Sequence, residues 1–183
     1  MQGVGTIKII VFSDTHRSRP VLKHTRKILQ TEKPDLLLHA GDNYQDFLWL
    51  KNASDIPGHG VCGNCDYDVS DCKNELIFEY QNVKFLLCHG HQYNVKFTLN
   101  NLYYRAQELD VNVAVFGHTH MAAIEQETGI TLFNPGSLYQ PRGNDIYSYG
   151  IIHVDNGKIN CELKEVDPAV YYAISGLFAK MFF

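Results

Sequence analysis

Short apolar runs alternate with short polar clusters along the amino-terminal two thirds of the chain. Thr6–Phe12 is β-branched and aromatic and reads as a buried strand that stops at Asp14-Thr15-His16. Arg19-Pro20 opens a helical segment to Lys33, with Val21, His24, Ile28 and Leu29 near one face and Pro34 as the stop. Asp35–Ala40 is a second buried strand and runs into Gly41-Asp42. A short helix over Phe47–Asn52 and a weak strand over Pro57–Val61 carry the chain to Gly63-Asn64. Glu75–Tyr80 and Val83–Cys88 form a hairpin across Gln81-Asn82 that ends at His89-Gly90-His91. Helical spacing over Phe97–Leu109 precedes a strand, Val113–Phe116, which ends at Gly117-His118-Thr119-His120.

From Ala122 the pattern becomes alternation, with strands expected at 122–127, 130–133, 147–154 and 158–165 and a tight turn at Asp155-Asn156-Gly157-Lys158. Taken alone, the pattern predicts an open α/β sheet that delivers all five polar clusters to one edge. No repeat or Pro/Gly/Ser linker interrupts the chain, so one domain over 1–183 is expected. The stretch 167–183 is apolar on most sides and reads as a helix that must bury against the body or pair with a second copy.

Composition narrows the function classes. At 183 residues and 45% hydrophobic, the chain can bury a sizeable core. A net charge of -4 gives no general attraction to nucleic acid or anionic membrane, so affinity for phosphate has to come from a local cationic site. No apolar run is long enough to span a bilayer and the start lacks a signal-peptide pattern, so the cytoplasm is the expected location. Five cysteines without a secretory signal are expected to be mostly reduced thiols, with Cys62 a buried thiol at a strand end.

The clusters carry the chemistry. Asp14 and His16 lie two apart, and in an extended backbone both would point the same way and hold one cation. Asp42 follows a turn glycine and has two oxygens with which to bridge two cations; Asn64 adds a carbonyl oxygen, and His89, His118 and His120 add imidazoles. Each residue alone has an ordinary explanation as a cap, a turn residue or a surface histidine. Donor residues after five separate apolar runs, mostly beside glycine, do not.

Asp14-x-His16, Gly41-Asp42, Gly63-Asn64-Cys65-Asp66, His89-Gly90-His91 and Gly117-His118-Thr119-His120, in that order, resemble the signature of the calcineurin-like metallophosphoesterases. Spacing, short length and Asn134-Pro135-Gly136-Ser137 with Pro141-Arg142 resemble the small YfcE-type phosphodiesterase subgroup, to which the retromer subunit Vps29 is also related. The resemblance covers residues 7 to about 165 and implies a four-layer α-β-β-α sandwich, two mixed sheets flanked by helices. It puts Asp14, His16, Asp42 and His120 on a first metal and Asp42, Asn64, His89 and His118 on a second, with Asp42 bridging. The implied cofactors are two divalent cations, with manganese expected and iron, nickel or zinc compatible with the donors. The implied reaction is hydrolysis of a small phosphodiester by a hydroxide that bridges the metals and attacks phosphorus in line.

Residues expected to act in catalysis are Asp42, Asn64, Cys65, His89 and His91. Cys65 departs from larger superfamily members, which have a histidine there, and a thiol is a poor acid-base match at neutral pH. His91 either takes over part of that role or supports the donors around it. Ser137 and Arg142 are candidate phosphate-side groups. The alternative is a Vps29-like protein-binding scaffold with little or no turnover. If the apolar tail builds a dimer, full-length protein will run as a dimer in analytical ultracentrifugation, and a chain ending at residue 167 will run as a monomer.

Overall fold

The computed structural model describes residues 5–67, 69–143, 145–167 and 169. Its strands are β1 (Ile7–Phe12), β2 (Leu36–His39), β3 (Gly58–Gly60), β4 (Glu75–Tyr80), β5 (Val83–Cys88), β6 (Val113–Val115), β7 (Ala122–Glu127), β8 (Ile130–Pro135), β9 (Tyr147–Asp155) and β10 (Lys158–Val166). The helices are α1 (Arg19–Glu32), α2 (Tyr44–Ser54) and α3 (Asn100–Glu108), with a 3-10 turn at His91–Tyr93. No helix among the described residues is long and apolar enough to cross a membrane.

The strands form two five-stranded mixed sheets, ordered β10-β9-β1-β2-β3 and β4-β5-β6-β8-β7. Among the described residues, three helices pack on the outer faces of the two sheets, and each sheet covers the inner face of the other. This corrects the single open sheet that periodicity alone suggested, and it matches the α-β-β-α sandwich implied by the resemblance.

Alternation within β1 shows how the layers are specified. Ile9 and Val11 point between the sheets, where they pack with Leu36, Leu38, Phe85, Leu87, Val115, Phe133 and Ile152. Ile10 and Phe12 point outward and meet Val21, Ile28 and Leu29 of α1 and Phe47 and Leu50 of α2. On the far side, Leu86, Ala114 and Leu132 meet Leu102 and Ala106 of α3. Continuous apolar strands therefore reflect burial on both faces.

The helix over 44–54 is longer than the stretch 47–52 read from periodicity. Its first turn is polar, and its amide end is held by the Asp66 carboxylate, which accepts a hydrogen bond from Tyr44 N–H at 2.8 Å. Such a tertiary cap leaves no periodic signal. The helix expected over 97–109 starts later, at Asn100, and β8 runs two residues further, to Pro135. The apolar stretch 167–183 lies almost wholly outside the described residues.

Cys62 was expected to be a reduced thiol; instead it is joined to Cys72, with Cα atoms 5.7 Å apart. Cys62 N–H donates to Lys73 O at 2.9 Å, and this contact folds the segment after β3 back on itself and brings the two side chains together. Cys65, Cys88 and Cys161 are free.

Gly150 of β9 marks where the sheets approach closely: a Cβ there would run into the ring of Phe133, which is fully buried between the sheets. Gly150→Ala should cost about 1–3 kcal/mol in urea unfolding by displacing that ring. An unchanged midpoint would show that the sheets can separate freely at this point.

Candidate metal centre

The candidate donors all follow the carboxyl ends of parallel strands. β1, β2 and β3 run parallel in the first sheet, and β5, β6 and β8 run parallel in the second. Asp14 and His16 follow β1, Asp42 follows β2, Asn64 follows β3, His89 follows β5, and His118 and His120 follow β6. Asp14, His16, Asp42, His118 and His120 have φ of 55°, 49°, 45°, 67° and 60°. The left-handed backbone at Asp14 and His16 corrects the extended geometry expected for that pair. Non-glycine residues gather in this region where surrounding structure holds them there.

Asp14, His16 and His120 form one group of donor atoms within 4.8 Å of one another. His120 Nε2 is 3.2 Å and His16 Nε2 4.0 Å from Asp14 Oδ1, and the two Nε2 atoms are 3.3 Å apart. Around His89 lies a second group: its Nε2 is 3.5 Å from Asp42 Oδ2, 3.2 Å from Asn64 Oδ1 and 3.2 Å from His118 Nδ1. Asp42 groups within 4.8 Å both with Asp14 and His89 and with His16 and Cys65, so its carboxylate lies between the two halves.

Tautomers decide what these contacts mean. His120 Nδ1–H donates to Gln140 O at 2.6 Å and His89 Nδ1–H donates to Ala40 O at 2.7 Å, which leaves a lone pair on each neutral Nε2. Those lone pairs face oxygens of Asp14, Asp42 and Asn64 that have no hydrogen to offer, and the neighbouring ring nitrogens of His16 and His118. Asp14 is fully buried, and its Oδ1 has no hydrogen-bond partner. Electron-rich atoms crowded this way need a cation between them, so the residues present fit a divalent metal.

Electrostatics point the same way. Burial would raise the Asp14 carboxyl, but the nearby His120 and His89 hold it below the usual range. Asp42 is likewise lowered, because His89 and the Cys65 amide outweigh its burial. Burial would lower His89, yet the Asp42 and Asp14 carboxylates raise it. The two carboxylates thus favour positive charge at the His89 end of the cluster, the place a metal would take. His118 is pushed down to about 4 by burial, then by His89 and Lys96, and His16 is lowered chiefly by burial. Both are neutral at pH 7 and able to ligate.

Cys65 and His91 lie at the edge of this cluster. Cys65 N–H donates to Asp42 Oδ1 at 2.9 Å, and burial, then Asp42, push its thiol up to about 11. The His91 ring is 5.5 Å from His89 and 6.0 Å from His118 by centroids, its Nδ1 is buried without a partner, and burial lowers its pKa. Ser137, a candidate phosphate-side group, is fully buried and committed elsewhere: its hydroxyl donates to Asp14 O at 2.9 Å and accepts from Tyr139 and Gln140 N–H. Arg142 N–H donates to His120 O at 3.0 Å.

Several residues support the cluster in ways the sequence reading did not assign. Thr15 Oγ donates to Asp46 Oδ2 at 2.6 Å and lies 3.1 Å from His39 Nε2, and Asp46 also takes Arg17 N–H at 2.8 Å; together they pin the 14–17 loop. Asp66 accepts Gly63 N–H at 2.8 Å and ties the Asn64 loop to α2. Ser13 Oγ at 2.6 Å and His118 N–H at 3.1 Å both donate to Asp14 Oδ2. A Cβ at Gly117 would collide with Ser13 Oγ and come within 2.8 Å of Asp14 Oδ2, so glycine there is a condition of this packing. His39 and Asp46, polar and fully or nearly buried, carried a signal only in being charged or titratable beside apolar runs.

Residues 7–157 match the family model described as the calcineurin-like phosphoesterase superfamily domain. The chain belongs to this superfamily. Among relatives, it is 37% identical over 150 residues to the "probable metallophosphoesterase YsnB" of Bacillus subtilis, covering 82% of this chain and 86% of that one. It is 34% identical over 172 residues to the phosphodiesterase YfcE of Escherichia coli K12, covering 81% and 89%. A crystal structure of a predicted phosphoesterase from Streptococcus pneumoniae TIGR4 superposes with TM-score 0.75 and 28% identity, covering 90% and 95%. Vps29 from Entamoeba histolytica, crystallised with zinc, shares the fold at TM-score 0.71 and 21% identity, covering 87% and 99%. For a metallophosphoesterase, the cluster above is the place to test for metal. Asp66→Ala should weaken divalent-cation binding at the Asn64–His89 half by about 10–100-fold, read by calorimetry, while the Asp14–His120 half is retained.

Proposed function

We propose that this phosphoesterase is a binuclear, metal-dependent phosphodiesterase. Asp14, His16, Asp42 and His120 would hold one cation, and Asp42, Asn64, His89 and His118 the other, with manganese the first choice and iron, nickel or zinc compatible. The observation that carries the reading is the convergence of carboxylate, amide and imidazole lone pairs on one another around a buried, unpartnered Asp14 oxygen. When bound, two such cations would polarise the phosphoryl oxygens and acidify a water for in-line attack on phosphorus.

The chain's own residues set the remaining terms. Ala40 O and Gln140 O fix the His89 and His120 rings so that only Nε2 is presented. Ser13 and the His118 amide occupy Asp14 Oδ2 and leave Oδ1 as the presented atom. A Cys65 thiol pushed up to about 11 is a weaker general acid at neutral pH than an imidazolium would be, so esters with stable leaving groups are favoured. His91, whose ring stands 6.0 Å from that of His118 by centroids, is the other candidate for contacting substrate oxygens. A Vps29-like scaffold role draws support from shared fold; the complete donor set weighs against it.

Full-length protein supplied with manganese should cleave an activated aryl phosphodiester, and Asp42→Asn should lose both turnover and metal, with at least a 100-fold drop in kcat/KM. Wild-type protein that binds no divalent cation in calorimetry would overturn the reading. Metal binding without turnover on any ester would favour the scaffold.

A further inference from the structure

A groove of about 420 Å³ opens directly beside the donor cluster, between the segment leading into α3 and the edge strand β7. Its apolar wall is built by Val95, Leu99, Phe116 and Met121. Thr119 also lines it and stands in sequence between His118 and His120, so the groove and the cluster share a wall. Two cations border it. Lys96 lies close enough for its charge to act on the His118 imidazole, and Arg142 comes from the loop whose amide is bonded to His120 O.

We propose that this groove is the subsite for one organic substituent of the phosphoester, and that it selects a flat, largely apolar group, an aryl ring or a nucleoside base, over a small alkyl or polyol group. The inference rests on the reading of the cluster as a metal centre for phosphoesters. Continuity is the first argument: an ester whose phosphoryl oxygens face the His118–His120 loop has its substituent beside Thr119, at the mouth of the groove. Charge is the second. Lys96 and Arg142 line the groove, Lys96 within electrostatic reach of His118, and can attract a phosphoryl group's negative charge, while Glu125 lies further along β7. The third is size and lining, since a few-hundred-Å³ cleft with apolar walls and a few polar groups at its edges suits a small planar group. Met121 is 51% exposed, so its flexible thioether has apolar surface left for a ring to cover.

The test uses two ligands with a single organic group each, so that the group entering the groove is unambiguous. Manganese-loaded full-length protein is titrated calorimetrically with phenylphosphonate and with methylphosphonate. Phenylphosphonate should bind about tenfold tighter or better. Ala123→Trp, which fills the groove from β7, should bring the ratio of the two affinities towards one. Met121→Ala, at an exposed position that does not threaten folding, should reduce the ratio severalfold. Equal affinities in the wild type overturn the proposal while leaving the metal centre standing, and so does a ratio that neither variant changes. Failure of the wild type to bind either phosphonate in the presence of manganese overturns both this proposal and the reading beneath it.

Discussion

Face-to-face packing of the two sheets is the interaction on which everything else depends. Ile9, Val11 and Leu38 from one sheet and Phe85, Val115 and Phe133 from the other fill the space between them. That contact fixes the loops after β1, β2 and β3 relative to those after β5 and β6. Each half of the donor cluster draws from both sheets: Asp14 and His16 meet His120, and Asp42 and Asn64 meet His89 and His118. The cluster therefore exists only when the core is formed, and the core supplies the free energy that holds its polar atoms within 3–4 Å of one another.

Local structure refines what the core places. Five of the donors occupy left-handed backbone, and their loops are held by Thr15, Asp46, Asp66 and Ser137 rather than by ladder hydrogen bonds. These ties are short and buried, so they are strong in a low-dielectric setting and leave the donor side chains few alternative orientations. A hydrogen bond on the far nitrogen of His89 and of His120 completes the arrangement.

The convergence of the candidate donors was legible in the sequence because each is a ligand-type residue at the end of an apolar run, and that rhythm survives in a linear text. Strand positions were legible for the same reason: β1, β4, β5 and β7 fall within a residue of their expected bounds. What could not be read is what depends on distant partners. Periodicity reports that β1 is buried on both faces but not that a second sheet covers one of them; that came only with the resemblance. The polar first turn of α2 is capped by Asp66 from another loop, and Cys62 is brought to Cys72 by a backbone contact with Lys73. Ser137 looked available beside a conspicuous Asn-Pro-Gly run, yet its hydroxyl is spent on Asp14 O and two amides.

The separate origins of the donors and of the neighbouring groove have a consequence for how such a molecule can diverge. Every donor sits on a loop whose backbone is pinned by buried contacts, so a change there is felt by several neighbours at once. The groove walls come instead from the 95–99 connection and from edge strand β7, where side chains can be exchanged without moving a candidate donor. On the proposed reading, reactivity and selectivity are carried by different stretches of chain. Descendants of this fold can drift in what they accept while remaining conservative in what they do to it.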